Sequence, residues 1–355
     1  MAALTLAQQV AQTLMIGFES ERATPELEAF IERLCPGAVV LFARNVAPPE
    51  KLSGLTRRLQ AASVRGCGLP LLVAIDQEGG PVARLKEPFY RLPGQAALGE
   101  LPAGEGEEAA YRAAHAIGLQ MAAVGINLNL APVLDVRTRP DSAVYSRCFS
   151  ADPARVAALG VATIRGLQEA GIAACGKHFP GHGDTSTDTH RELPAIDAGE
   201  ERVWEVELAP YRAAAQAGVA AVMTTHIIYR ALDPKLPATL SRAVVSGLLR
   251  DRLGFGGLVL SDDLQMGAII RHWGLASAAE LALRAGCDQV LVCNMLRRDD
   301  PEALAARLTA TAEGDPALAA RIAEAASRVL AAKGRWAKGL PLSGPELAAL
   351  FAPAS

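Results

Sequence analysis

The stretch DPARVAALGVATIRGLQEAGIAACGKHFPGHGD, Asp152 to Asp184, contains one complete repeat of a fold. An N-capping Asp152 and a terminating Gly171 bracket a helix predicted over Pro153–Ala170. A short apolar run, Ala174–Phe179, follows as a strand. It ends on Lys177 and His178, which open a polar loop broken by glycine and proline. The same alternation runs outward in both directions. Strands are predicted at Leu14–Phe18, Ala38–Phe42, Leu71–Asp76, Asn127–Pro132, Ala221–His226, Leu258–Asp262 and Gln289–Cys293. Helices are predicted at Pro25–Leu34, Glu105–Val124, Glu200–Ala217, Ser241–Arg252 and Ala276–Ala285.

Strands that alternate with helices pair in parallel through βαβ units, and about eight such repeats close into a barrel. The competing open Rossmann-type sheet requires a GxGxxG turn after an early strand, and no such turn is present. The expected architecture is therefore a single-domain α/β protein, a (β/α)8 TIM barrel over residues 1–340 with a C-terminal tail at 341–355. The Ala-rich segment Pro316 to Lys333 reads as a closing helix. No Ser/Gly-rich linker divides the chain.

The 355 residues are 50% hydrophobic and 21% charged, enough apolar material for a large core. A net charge of -3 argues against nucleic acid or an anionic membrane as partner. The short KGRWAK run, Lys333 to Lys338, reads as a solvated helix end. No charged side chain precedes Glu19, so the basic region of a secretory signal is missing, and no apolar run is long enough for a membrane helix. Six cysteines without a CxxC pair suggest reduced thiols. Together these features predict a cytoplasmic monomer.

In such a barrel the reactive groups sit at the C-terminal ends of strands. Here those ends read AIDQEGG (Asp76), GKHFPGHGD (Lys177, His178), MTTH (His226) and LSDD (Asp262, Asp263). Any one strand-end Asp could simply cap the next helix. Several on one rim point to a site. The loop KHFPGHGDTSTDTH, Lys177 to His190, adds His182, Asp184, Asp188 and His190. Three readings of it compete: zinc ligation, metal-free acid/base work by a carboxylate-oriented histidine, or a loop bonded only to itself.

These segments resemble family 3 glycoside hydrolases, specifically the single-domain bacterial β-N-acetylhexosaminidases of cell-wall recycling. The match rests on DQEGG–VAR (Asp76 to Arg84), SRCF (Ser146 to Phe149), KHFPGHGDTSTDTH, VMTTHI (Val222 to Ile227) and LSDDLQMGAI (Leu260 to Ile269), in the family's order. The KHFPGHGD…DxH pattern is highly specific.

The resemblance implies that Asp262 is the nucleophile, that His190 is the acid/base and that Asp188 is its dyad partner. It also implies that Asp76, Arg84, Arg147, Lys177, His178 and His226 bind the sugar, with no metal or organic cofactor. Pro81 stands where an Arg is common and Cys148 where a Ser is common, which leaves fine substrate preference open.

The chemistry accords with these roles. Retaining hydrolysis needs an attacking carboxylate and a proton donor, and an imidazole already titrates near working pH. Lys177 and Arg147 are expected to keep Asp262 ionised, and Gly181 and Gly183 to let the loop swing. The expected reaction is removal of terminal β-linked N-acetylglucosamine from GlcNAc–anhydro-muropeptides or chitooligosaccharides. The alternatives are phosphorolysis of the same bond, a metal-dependent amidohydrolase, and a sugar-binding protein without catalysis.

Overall fold

A computed structural model describes residues 4–185, 189, 193–293 and 301–352. Eight parallel strands close into a barrel: β1 (Leu14–Ile16), β2 (Ala38–Leu41), β3 (Leu72–Ile75), β4 (Leu128–Asn129), β5 (Ala173–Phe179), β6 (Ala221–Thr224), β7 (Leu258–Asp263) and β8 (Gln289–Val292). Each strand pairs with its sequence neighbour. β1 closes the ring on β8 through Leu14↔Val290 and Ile16↔Val292.

Side-chain alternation along the strands builds two layers. Met15, Ala38, Val40, Leu72, Ala74, Ala173, Ala221, Leu260 and Leu291 fill the barrel interior. Ile16, Val39, Leu41, Val73, Ile75, Val222, Val259 and Val290 face outward beneath the helices. Because both faces are buried, the strands read as continuous apolar runs instead of alternating ones. The closing helix, Pro316–Trp336, is capped by Asp315 and sends Val329 and Trp336 into the interior layer. The chain then runs on over the barrel: Leu342 N–H donates to Ala123 O, and Leu347 of helix Gly344–Leu350 is buried.

Two helices depart from the sequence expectation. The helix expected over Glu200–Ala217 is split into Glu200–Arg202, a π-helical turn Val203–Glu207, and Ala209–Gln216. Pro210 has no N–H to donate and its ring crowds the preceding turn, so the helix restarts there. The segment Ala243–Arg252 is π-helical, with Ser241 Oγ accepting from Val244 N at 3.2 Å. β4 is shorter than expected because Pro132 offers no ladder donor. Asn127 and Asn129 side chains bridge to β3 instead, accepting from Val73 N (2.8 Å) and Gln77 N (3.0 Å). The long helix Pro49–Cys67 connects β2 to β3. No disulfide forms, and every cysteine except Cys67 is buried. Among the described residues, no helix is long and apolar enough to cross a membrane.

Candidate active site

Two strand irregularities shape the C-terminal rim. On β7, Leu260 pairs with Gln289 but Asp263 pairs with Leu291, so β7 spends one more residue than β8 around Asp262. On β5, Lys177 pairs with Met223 and Phe179 with Thr224, so the extra residue is His178. Bulges at a barrel rim re-aim side chains. Here they fall on the two positions at which the sequence put reactive groups.

A cavity of about 270 Å³ opens at this rim. Asp76, Glu78, Arg84, Arg147, Lys177, His178, Asp262 and Asp263 line it, with Met266 among its apolar walls. It is small beside the roughly 300–1,000 Å³ of common ligand pockets.

The charges are tightly paired. Lys177 Nζ lies 2.7 Å from Asp76 Oδ1 and 2.6 Å from Glu78 Oε1. Arg147 grips Glu78 through Nε (2.8 Å) and Nη2 (2.7 Å). Burial pushes the Glu78 carboxyl up, but Lys177 and Arg147 outweigh it and hold the group at about 2. Arg84 Nη2 stands 3.8 Å from Asp76 Oδ2, and its buried Nε has no hydrogen-bond partner among the described residues.

Asp135 organises the histidines from below. Fully buried, it accepts from His178 Nδ1 (2.8 Å) and His178 N (3.1 Å), and from His182 N (2.7 Å). Burial opposes its ionisation, yet the two imidazoles and the N–H donors keep it below the usual carboxylate range. Fixing Nδ1 in this way leaves His178 Nε2 to face the cavity, 3.5 Å from Arg147 Nη2. His182 is driven down to about 4 by burial and by His178, so it is neutral at pH 7.

Asp262 accepts from Asp263 N at 2.8 Å. Its carboxyl is lowered against the pull of burial by His226 and His178, then by the Asp263 N–H and Lys177. Arg147, expected from sequence to share in this, is committed to Glu78. His226 is fully buried, does not line the cavity, and bridges Thr239 Oγ1 (2.9 Å) and Asp263 O (3.0 Å). It supports the strand that carries Asp262. Asp263 accepts from Gln265 N (3.1 Å) and Cys293 N (3.3 Å), tying the ends of β7 and β8 together.

The structure thus brings Asp76, Arg84, Arg147, Lys177, His178 and Asp262 into one cavity, with His226 behind it. Asp188 and His190 lie outside the described residues. Pro81 is exposed, and Cys148 is buried with its thiol on Val144 O (3.1 Å); neither lines the cavity. Sequence reasoning passed over two residues. Glu78 stood inside the DQEGG segment, two places after Asp76. Asp135 ends the apolar run Leu130–Leu134, the same signal that singled out the other strand ends.

The sequence profile of the Glycosyl hydrolase family 3 N terminal domain matches residues 5–332. The chain belongs to glycosyl hydrolase family 3. This family 3 chain is 39% identical over 308 residues to a beta-hexosaminidase of Alkalilimnicola ehrlichii, covering 85% of each. A family 3 β-N-acetylglucosaminidase from Paenibacillus sp. superposes with a TM-score of 0.88 at 40% identity, over 98% of this chain and 68% of that one. NagZ from Neisseria gonorrhoeae in complex with N-trifluoroacetyl-D-glucosamine gives 0.73 at 32% identity, over 88% and 98%. The chain is a β-N-acetylhexosaminidase, a glycosidase that removes N-acetylglucosamine.

Proposed function

We propose that the reaction is retaining, with Asp262 attacking the anomeric carbon to form a glycosyl ester and His190, paired with Asp188, first protonating the leaving oxygen and then activating water. The observation that carries this reading is the Asp262 carboxylate, placed beside a bulge on the wall of the small rim cavity, with its ionised form favoured despite burial. Thr189, from the loop that follows β5, packs beside the Asp262 strand end. Its carbonyl accepts from Ala268 N (3.1 Å), on the helix that follows Asp262, and its hydroxyl lies 3.3 Å from His182 Nε2. Asp76, Arg84, Arg147, Lys177 and His178 hold the sugar's hydroxyls and acetamido group.

The substrate is a GlcNAc–anhydro-muropeptide of peptidoglycan recycling, processed in the cytoplasm by a monomer. The ligand carried by the Neisseria relative supports the sugar, and the unpaired cysteines support the compartment. A 5-fluoro glycosyl substrate tests the mechanism by labelling the peptide that contains Asp262; a label on Asp263 overturns it. Phosphate-dependent release of GlcNAc-1-phosphate would redirect the second step to phosphorolysis.

A further inference from the structure

At the opposite, N-terminal end of the barrel, two helix C-termini bring two thiols together. Cys35 caps helix Pro25–Leu34 in the left-handed region (φ 48°). Cys67 is the last residue of helix Pro49–Cys67. Between them the backbones approach so closely that a Cβ on Gly66 would stand 2.5 Å from Cys35 Sγ and 2.2 Å from Glu32 O. Each thiol donates to a carbonyl of its own helix, Cys35 Sγ to Glu32 O (3.3 Å) and Cys67 Sγ to Ser63 O (3.4 Å), and the two are close enough to influence each other's ionisation, with Cys35 buried and Cys67 half-exposed.

A third group completes the cluster. Lys333, on the closing helix, is 2% exposed, and its Nζ donates to Gln12 Oε1 at 2.5 Å. Gln12 Nε2 in turn donates to Cys35 O at 2.9 Å. Among the described residues, the charges that favour this ammonium are those of Cys67 and Cys35. A buried ammonium without a counter-charge is costly, so it either loses its proton or borrows a thiolate.

We propose that Cys67 is a reactive modification site, in which Lys333 and the Cys35 S–H stabilise its thiolate and Cys35 resolves the oxidised product into a Cys35–Cys67 disulfide, with a hydroperoxide as oxidant. The Cys67 thiolate attacks the peroxide O–O bond, forming S–O, and the departing oxygen takes a proton to leave as water or alcohol. The Cys35 sulfur then displaces hydroxide from the Cys67 sulfenic acid, with its own proton completing a second water. Two thiols are oxidised and one peroxide is reduced.

The opposing effects can be ranked. The helix C-terminus disfavours a thiolate at Cys67, and so does burial. Against them stand the Cys35 S–H, the largest influence, then the Leu69 N–H and the Lys333 charge, and the net direction is downward. Cys35 moves up through the neighbouring Cys67 thiolate that its S–H would serve, with burial and Glu32 acting in the same sense. Lys333 is pushed down by burial to about 7. Cys67 is therefore the attacking sulfur, and Cys35 is the resolving one.

The test uses the native chain at pH 7 with hydrogen peroxide, followed by peptide mapping. The expected product is a Cys35–Cys67 linked peptide, with the other four of the six cysteines still alkylatable. Cys35→Ser should halt at a sulfenic acid on Cys67, captured by dimedone. Lys333→Met should slow alkylation of Cys67 at pH 7 about tenfold and move its pH midpoint towards that of a free thiol, about 8.5. Hexosaminidase turnover should be unchanged in both variants, since the cluster lies across the barrel from the catalytic rim. If Lys333→Met does not fold, the wild-type profile decides, because a Cys67 midpoint well below 8.5 is then required. A free-thiol midpoint, or oxidation without the linked peptide, overturns the proposal.

Discussion

Arg147 holds Glu78 through two parallel hydrogen bonds, 2.8 Å from Nε and 2.7 Å from Nη2, at the wall of the rim cavity. The guanidinium fork fixes both partners at once. It also leaves Lys177 to bridge Glu78 and Asp76 from the other side. Arg147→Lys keeps the charge but loses the fork. It should raise KM at least about tenfold, the cost of roughly one charge-assisted hydrogen bond. Arg147→Ala leaves the Glu78 carboxylate buried with only one cation, and should lower stability by about 3 kcal/mol. Urea denaturation monitored by circular dichroism reads the second effect, and a 4-nitrophenyl β-GlcNAc assay reads the first.

Asp262→Asn should reduce turnover by about a thousandfold or more while leaving the fold intact, since the amide retains the acceptor used by Asp263 N–H. Matched denaturation curves alongside the lost activity would separate chemistry from folding. Substantial activity in this variant would remove Asp262 from the nucleophile's role.

His190→Ala should cripple cleavage of natural disaccharides far more than of a dinitrophenyl glycoside, because only the sugar alcohol needs a proton to leave. With the activated substrate, a burst should precede slow turnover, and azide should partly restore the rate. Asp188→Ala should behave as a milder version with a shifted pH optimum. Equal loss on both substrates, with release of a bound metal, would return the metal reading.

Glu207 offers a pH-dependent test of the rim's support. It packs against Gly181 at the base of the loop that follows β5, where burial raises its carboxyl to about 7 despite Arg202 at 3.2 Å. Folded Glu207 thus holds a proton that the unfolded chain has already lost above about 4.3. Stability from this group therefore falls as pH rises from about 4.3 to 7. Glu207→Gln should gain on the wild type across that window, by on the order of 3 kcal/mol at pH 8 relative to pH 4. Glu78 runs the other way: depressed to about 2, it supports the fold above about 4.3 and loses that support as pH falls towards 2. Thermal melts of both proteins from pH 4 to 8 would show whether their difference grows upward as expected.

The sequence by itself determined the barrel and the rim on which its polar strand ends gather. Alternation of short apolar runs with capped helices is local information, and it placed the eight strands within a residue or two at most of their ends. The same runs stopped at Asp76, Lys177, His178 and Asp262, which all line the cavity. What only the tertiary structure decided is which partner each of these groups takes. Lys177 reaches Asp76 across 101 residues, and Asp135 holds His178 across 43. Those pairings depend on strand register and on single-residue bulges at His178 and Asp262. A bulge changes no hydrophobic period in the flanking residues. It becomes visible only when the neighbouring strand's hydrogen bonds show one residue too many, and that neighbour is supplied by the closed barrel.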